Sequence, residues 1–475
     1  MMKNDLQIKI GLEVHCQLTS LRTKLFCSCP SNYRNSEPNT NICPICTGLP
    51  GSLPSINEQA IKDGIKAALA VKANIADILK FYRKNYFYPD LPKNFQISQY
   101  DKAGGVTLAS KGVVEIKGRR IHLSRIQIEE DPAKISYEGT ISSSPYSLID
   151  YNRAGITLVE IITEPELKTP RQARLFLQKL RSILEHIGVC DGGLEGAIRC
   201  DANISIKGGK RVEIKNIGSF KEVERALSFE ATRQKTINNR NIVGMETRHW
   251  DDVRRVTVSM RVKEEEQDYR YFPEADLVPF RFEKKFINSI KKTMSELPDA
   301  RRERFVKEIG VSPSNAEVLT SDKALADFFE KCLEYQVNPK RTSNWIVSDV
   351  LGFLNREDIE VKQIRVTPKE FAKLIRSVEA GKISEQTGKK LLLKTLTTKD
   401  DALQIKETMF RISDPDEVNK IVEKVFNENK KAVEDAVGNK NTINYLMGLI
   451  MKATSSRADP KITRKVIDAK LSTLR

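Results

Sequence analysis

The stretch Ile10-Gly-Leu-Glu-Val-His-Cys-Gln-Leu18 decides how the chain is read. At period two, Leu12, Val14, Cys16 and Leu18 share one side, and Glu13, His15 and Gln17 share the other. That is the pattern of a half-buried strand, with the first set packed and the second facing a common space. A carboxylate, an imidazole and an amide in line make either a metal-ligand edge or an ordinary solvated face. This strand alone does not choose between them.

Three later stretches repeat the pattern. Between Ile121 and Lys134, Ile126 and Ile128 face one way and Gln127 and Glu129 the other. The stretch ends in Glu129-Glu130-Asp131-Pro132, and three adjacent acids repel one another unless solvated or bound to cations. The phase turns Glu129 inward; a twist or an early end would turn Glu130 inward instead. From Ile198 to Ile206, the apolar set Ile198, Cys200, Ala202, Ile204 and Ile206 alternates with Arg199, Asp201, Asn203 and Ser205. From Arg211 to Ile217, Glu213 and Lys215 fall on one side. Four strands therefore offer Glu13 and His15, Glu129, Asp201 and Asn203, and Glu213, with Arg199 and Lys215 interspersed. Such a sheet floor suits a metal and phosphates. Oxygen ligands favour Mg2+, and the imidazole tolerates Mn2+ as well. A floor of this kind transfers phosphoryl groups by positioning and charge neutralisation.

The chain has 475 residues, 40% of them hydrophobic, which is material for roughly three domains with proper cores. Its net charge is +16, spread without a long Lys/Arg tail. A folded basic surface with a polyanionic partner, RNA or DNA first, is one reading, and plain solubility is the other. The run from Met1 to Asp5 leads into an alternating strand with no apolar signal-like core, and no run is long enough to cross a bilayer. A reducing cytoplasmic setting is expected, so the eight cysteines need form no disulfides. Cys27-x-Cys29, thirteen residues, then Cys43-x-x-Cys46 has the spacing of a four-thiolate zinc site, which leaves no open coordination position. The competing reading is four reduced thiols in a loop that has lost its metal. Cys16, Cys190, Cys200 and Cys332 read as core residues.

The segment Arg83-Lys-Asn-Tyr-Phe-Tyr-Pro-Asp-Leu-Pro-Lys93 interleaves cations and aromatics in a proline-fixed loop. It suits a nucleic-acid end, or equally an aromatic-rich turn on a core. Helix starts are marked by Ser55-Ile-Asn-Glu58, Thr169-Pro-Arg-Gln172 and Ser219-Phe-Lys-Glu222. From about Glu283, strand alternation gives way to helical periodicity, with Thr367-Pro-Lys-Glu370 and Ser413-Asp-Pro-Asp416 as further starts. The last two helices are expected over Asn441–Ala453 and Pro460–Leu474. The chain has no G-x-x-x-x-G-K-[ST], no G-x-G-x-x-G after a strand and no G-x-S-x-G. Of four histidines, His122, His186 and His249 read as ordinary surface or core residues.

Six motifs in order give the chain a likeness: Ile10–His15, Arg83–Lys93, Gln96-Ile-Ser-Gln-Tyr100, Arg199-Cys-Asp-Ala-Asn203, Val212-Glu-Ile-Lys-Asn216 and Asp268-Tyr-Arg-Tyr-Phe-Pro-Glu274. Over essentially its whole length it resembles the B subunits of the aspartyl/glutamyl-tRNA amidotransferase family. Related archaeal glutamyl-tRNA amidotransferase subunits carry a large insertion absent here, so the bacterial type is the closer match. The resemblance implies an α+β chain: a β-sheet cradle with flanking helices at 1–292 holding a kinase site, a helical domain at 293–405, and a small tRNA-contacting, YqeY-like helical tail at 406–475. It implies ATP-dependent phosphorylation of the side-chain carboxylate of Glu-tRNA(Gln) or Asp-tRNA(Asn). Ammonia from a partner glutaminase/amidase, the A subunit, then displaces phosphate, and a small C subunit completes a heterotrimer. The activity is that of a glutamine-hydrolysing amide ligase. The metal positions it implies are Glu13, His15, Glu129 or Glu130, Asp201 and Glu213. Arg83, Lys84, Arg199 and Lys215 are the candidates for phosphate or aminoacyl-end contact. Two departures stand out. Leu194-Glu-Gly-Ala197 occupies the place where the family usually has two acids and then Gly-Ser, and Met260-Arg-Val-Lys263 has Val where Ser is common. A tRNA-binding scaffold without chemistry is the alternative, and bare acids beside phosphate argue against it. Which mischarged tRNA is served is not legible in the residues.

Overall fold

The computed structural model describes residues 7–473 apart from 103, 140–143, 208, 239–244, 262–268, 398–408 and 437–439. Outside these residues lie the run Met1–Asp5, Val262, Lys263, Asp268, the expected border at 405/406 and Leu474. The chain is α+β. It divides into two compact units, Met1–Pro298 and Asp299–Arg475.

The first unit is built on a nine-stranded sheet. In spatial order its strands are Val256–Arg261, Glu246–Asp251, Val212–Lys215, Ile198–Ile206, Ile8–Gln17, Thr157–Thr163, Arg119–Glu130, Ala109–Ile116 and Asn74–Ile75. Every pairing is antiparallel except Val212–Lys215 with Glu246–Asp251. The opening strand is thus the fifth of nine, with an antiparallel neighbour on each side.

Register explains the two faces. Val14 lies opposite both Cys200 and Ile161, Ile161 opposite Ile126, and Ile126 opposite Ala109. All five are buried, so one apolar row crosses five strands. A single step along the strands reverses the face. The next row runs Arg199, His15, Glu160 and Gln127. The apolar face packs with helices Glu58–Ala70, Pro170–His186 and Phe220–Asn238, whose Ile61, Ile65, Phe176, Leu180, Val223 and Leu227 belong to the same core.

Not every capping signal is used as the sequence suggests. Thr169 caps the Pro170–His186 helix through Gln172 N. The helix at Glu58 begins differently: its N-cap is Asn57, whose side chain accepts from Gln59 N and Ala60 N. Ser55 N is bonded to Phe26 O and Asn57 N to Leu25 O, and Asn57 is the side chain placed to reach the free amides of the first turn. Likewise Asp414, rather than Ser413, caps the helix that starts at Pro415. Thr367 and Glu370 form the reciprocal box as expected.

The second unit is helical from Pro298–Lys307 to Pro460–Ser472 and carries two hydrophobic clusters. One runs from Phe305 to Leu396 and the other from Ile412 to Leu471.

Gly64 ties helix packing to the sheet floor. A Cβ there would stand 2.6 Å from Ile128 Cδ1 and 3.0 Å from Leu108 Cδ2. Gly64→Val is therefore expected to destabilise the protein by about 1–3 kcal/mol through overpacking. Urea unfolding checks this, and an unchanged midpoint would contradict it.

Candidate active site

The polar rows of the sheet gather the acids around one imidazole nitrogen. His15 Nε2 lies 3.5 Å from Glu129 Oε1, 3.7 Å from Glu13 Oε1 and 3.7 Å from Glu160 Oε1. One ligand atom each from Glu13, His15 and Glu160 can be chosen so that all lie within 4.8 Å of one another. Glu129 is further fixed by Ser98 Oγ at 2.9 Å, and Glu160 accepts a hydrogen bond from Gln127 Nε2.

Glu160 has no counterpart among the sequence-derived candidates. It sits in Thr157–Thr163, a strand of sequence TLVEIIT in which six of seven residues are buried. A run so apolar reads as core. The signal that could have found it is the lone acid itself, because a buried carboxylate requires a partner.

The three adjacent acids part company. Glu129 turns to His15. Glu130 is held by Lys93 Nζ at 2.5 Å and Ile97 N at 2.8 Å, and it is not among the acids around the imidazole. Asp131, fully buried, takes Arg199 Nη2 at 2.7 Å and Gln17 Nε2 at 2.8 Å, with Arg153 at 3.8 Å. The repulsion expected of three neighbouring carboxylates is relieved by sending each to a different partner. Gln17 is gripped in turn by Tyr33 and Arg34, which lie in the loop between the two cysteine pairs.

Asp201 and Glu213 flank this centre. Asp201 is the cross-strand neighbour of Glu13 and pairs with Lys215 Nζ at 2.7 Å. Glu213 accepts from Thr247 Oγ1 at 3.1 Å and lies 3.8 Å from Lys215. Arg199 is the neighbour of His15 across the same strand pair. Lys84 Nζ lies over the rings of Tyr269 at 4.8 Å and Tyr86 at 5.5 Å. Arg83 is forked onto Glu274 at 2.6 and 2.7 Å and stacks over Phe95, so its Nε and Nη2 are engaged within the fold. Glu195, in the turn that departs from the family pattern, is exposed and outside the acid cluster.

The acids do not share one electrostatic state. Burial and the charges of Glu129 and Glu13 push Glu160 well above the usual carboxylate range. Glu13 feels the same burial, but His15, a hydrogen bond with Glu160, and the cations Lys215 and Lys84 hold it at about 2. Burial acts against the Lys84 ammonium, yet Tyr271, Tyr86, Glu129 and Glu160 together raise it above the ordinary lysine value. The same opposition holds Lys215 up through Asp201, Glu213 and Glu13. The result is a cluster of carboxylates with the Lys84 and Lys215 ammonium groups acting on it.

This donor set fits a hard divalent ion: carboxylate oxygens with one imidazole suit Mg2+ or Mn2+. The sulfurs of Cys27, Cys29, Cys43 and Cys46 also lie within 4.8 Å of one another. Tetrahedral zinc at its usual bond length needs them about 3.8 Å apart, so this cluster fits as well. His122 pairs with Glu166 near the surface and His186 is buried against Ser182 O; neither belongs to these clusters.

Comparison with known families identifies relatives of the whole chain. Residues 8–288 match the model of the GatB/GatE catalytic domain, and residues 327–471 match that of the GatB domain. The chain is 49% identical to a protein of Saccharolobus solfataricus over 98% of this chain and 99% of that protein. It is 48% identical to one of Sulfurisphaera tokodaii, over 97% and 98%. To one of Thermotoga maritima it is 44% identical, over 96% and 97%. All three are named as the B subunit of an aspartyl/glutamyl-tRNA(Asn/Gln) amidotransferase. With its sheet and its helical end both matched, this chain belongs to the family of GatB, the B subunits of the aspartyl/glutamyl-tRNA(Asn/Gln) amidotransferases.

Proposed function

We propose that the chain is the ATP-dependent kinase subunit of a tRNA-dependent amidotransferase. It acts on the side-chain carboxylate of Glu-tRNA(Gln), Asp-tRNA(Asn) or both, in the cytoplasm. It works in a heterotrimer with a glutaminase/amidase A subunit and a small C subunit, and the assembly is a glutamine-hydrolysing amide ligase. The observation that carries this reading is the convergence of Glu13, Glu129 and Glu160 on His15 Nε2.

A carboxylate resists ammonia because the leaving group would be oxide. In the proposed reaction a carboxylate oxygen of the substrate attacks the γ-phosphorus of ATP, and the bond to the bridging oxygen of ADP breaks. Ammonia then adds to the acyl phosphate and inorganic phosphate departs, which leaves the amide. Glu13, His15 and Glu160, with Glu129 beside them, would hold Mg2+ or Mn2+; Asp201 and Glu213 stand in reserve on the neighbouring strands. When bound, such an ion neutralises phosphate charge and aligns the oxygens. The chain's own cations do the rest. Lys84, held between Tyr86 and Tyr269, presents its ammonium to the incoming anion. Arg199, locked by Asp131, offers its remaining donors beside His15. Lys215 steadies Asp201. No glutaminase nucleophile motif is visible in the sequence, which supports a separate polypeptide as the source of ammonia. Zn2+ is assigned to Cys27, Cys29, Cys43 and Cys46 as a structural centre that braces the loop carrying Tyr33 and Arg34.

The test is ATP hydrolysis by the assembled complex with and without Glu-tRNA(Gln). Charged tRNA should stimulate hydrolysis, and Glu13→Ala or Glu160→Gln should lower the stimulated rate about 100-fold or more. A complex that binds the tRNA without stimulation would point to a scaffold and contradict the proposal. Lys84→Met should lower kcat/KM by about 100-fold while the melting temperature stays within a few degrees. Wild-type kinetics in that variant would remove Lys84 from the site.

A further inference from the structure

We propose that Lys24 is the counter-charge of the four-cysteine centre, a positioning residue whose buried ammonium lies against Cys46 Sγ and offsets the net negative charge of a metal tetrathiolate. The proposal rests on the zinc assignment above and deepens it.

Lys24 is 0% exposed and is among the largest fully buried side chains of the protein. Lysine is almost never fully buried unless paired, because stripping water from an ammonium carries a heavy desolvation penalty. The polar partners of its Nζ are Cys46 Sγ at 3.6 Å and the carbonyl of Tyr151 at 3.4 Å. Among the described residues, no carboxylate lies within ion-pair distance of it. A carbonyl brings only a dipole. The sulfur of Cys46 is therefore the one contact able to carry a compensating charge.

A second donor aims at the same atom: Cys43 N lies 3.2 Å from Cys46 Sγ. An ammonium and an amide converging on one sulfur suit a thiolate, since a neutral thiol is only a weak acceptor. The backbone leaves Lys24 little freedom to move away. Its N–H is bonded to Cys29 O at 3.0 Å, and the next residue, Leu25, bonds Gly155 O at 2.9 Å. Gly155, at φ +84°, packs beside the stem: a Cβ there would stand 3.4 Å from Lys24 Cδ, in ordinary contact. The lysine thus enters the cluster from the polypeptide that carries the first cysteine pair and touches a sulfur of the second.

This favours a cluster that carries at least one thiolate over four neutral thiols. Four neutral thiols would strand a buried ammonium without an anion. Four thiolates around a divalent ion carry a net charge of about −2, and Lys24 reduces it to about −1. A centre of three cysteines and one neutral histidine reaches the same net charge without a lysine.

The test uses that equivalence in the full-length chain. Bound zinc is quantified by elemental analysis, and its release to the chromogenic chelator 4-(2-pyridylazo)resorcinol is timed. Wild type should hold one zinc ion. Lys24→Met should fold and release zinc about 10- to 100-fold faster, the usual cost of losing a partner of a metal ligand. Adding Cys46→His in the Lys24→Met background should recover most of that loss by restoring the net charge. If Lys24→Met alone does not fold, a folded, zinc-bound Lys24→Met/Cys46→His chain supports the proposal, and failure of both overturns it. Unchanged release in Lys24→Met, or fast release that Cys46→His does not slow, overturns the role of Lys24 and leaves the zinc assignment standing. Wild-type protein without zinc after growth in zinc-supplemented medium overturns the zinc assignment and this proposal with it.

Discussion

Like charges oppose the arrangement at the centre of this protein: three carboxylates stand within 3.7 Å of one imidazole nitrogen. No single turn or loop could hold them so. They come from three adjacent strands, and the antiparallel ladder fixes their spacing whether or not the side chains repel. The apolar row through Val14, Ile161 and Ile126 secures that ladder from the other face. Because side chains alternate, the burial that drives the sheet to form also places the acids on its opposite face. Packing energy on one side of the sheet thereby holds electrostatic strain on the other.

That strain is met by cations placed around the rim. Lys84, Arg199 and Lys215 each face an acid or an aromatic cage, and Asp131 is held below its ordinary value by Arg199 and Arg153 even though burial works against it. The chain Tyr33–Gln17–Asp131–Arg199 joins the cysteine loop to the sheet floor. The loop from which this polar chain starts lies between the two cysteine pairs whose sulfurs meet. Three hydrogen bonds thus link the loop between the cysteine pairs to Arg199 on the sheet floor.

Much of this is legible in the residues. Glu13, His15, Glu129 and Asp201 announce themselves by alternating with apolar neighbours, and the structure sets them on one face in the phase expected. The cysteine spacing is equally local, and the four sulfurs meet. Less visible is anything requiring knowledge of who sits opposite whom. Glu160 hides in an apolar strand, where its lone carboxylate is the signal and its partners lie on other strands. Arg83 reads as a free cation beside aromatics, but Glu274 lies 191 residues away and claims it. Lys24 looks like any surface lysine between Thr23 and Leu25, and its burial is a tertiary fact. The cap at Asn57 escapes the sequence for a smaller reason: Ser55 and Asn57 are both competent caps, and only the fold places Asn57 Oδ1 on Gln59 N and Ala60 N.

Membership of the GatB family and the geometry of the floor point the same way, but the geometry stands or falls by itself. The most direct trial is anomalous diffraction above the manganese edge from crystals grown with Mn2+ and a non-hydrolysable ATP analogue. The account predicts a peak at coordination distance from Glu13, His15 and Glu160, with the triphosphate on its open side. A nucleotide bound elsewhere, or a triphosphate at this floor with no peak among those three side chains, would contradict it.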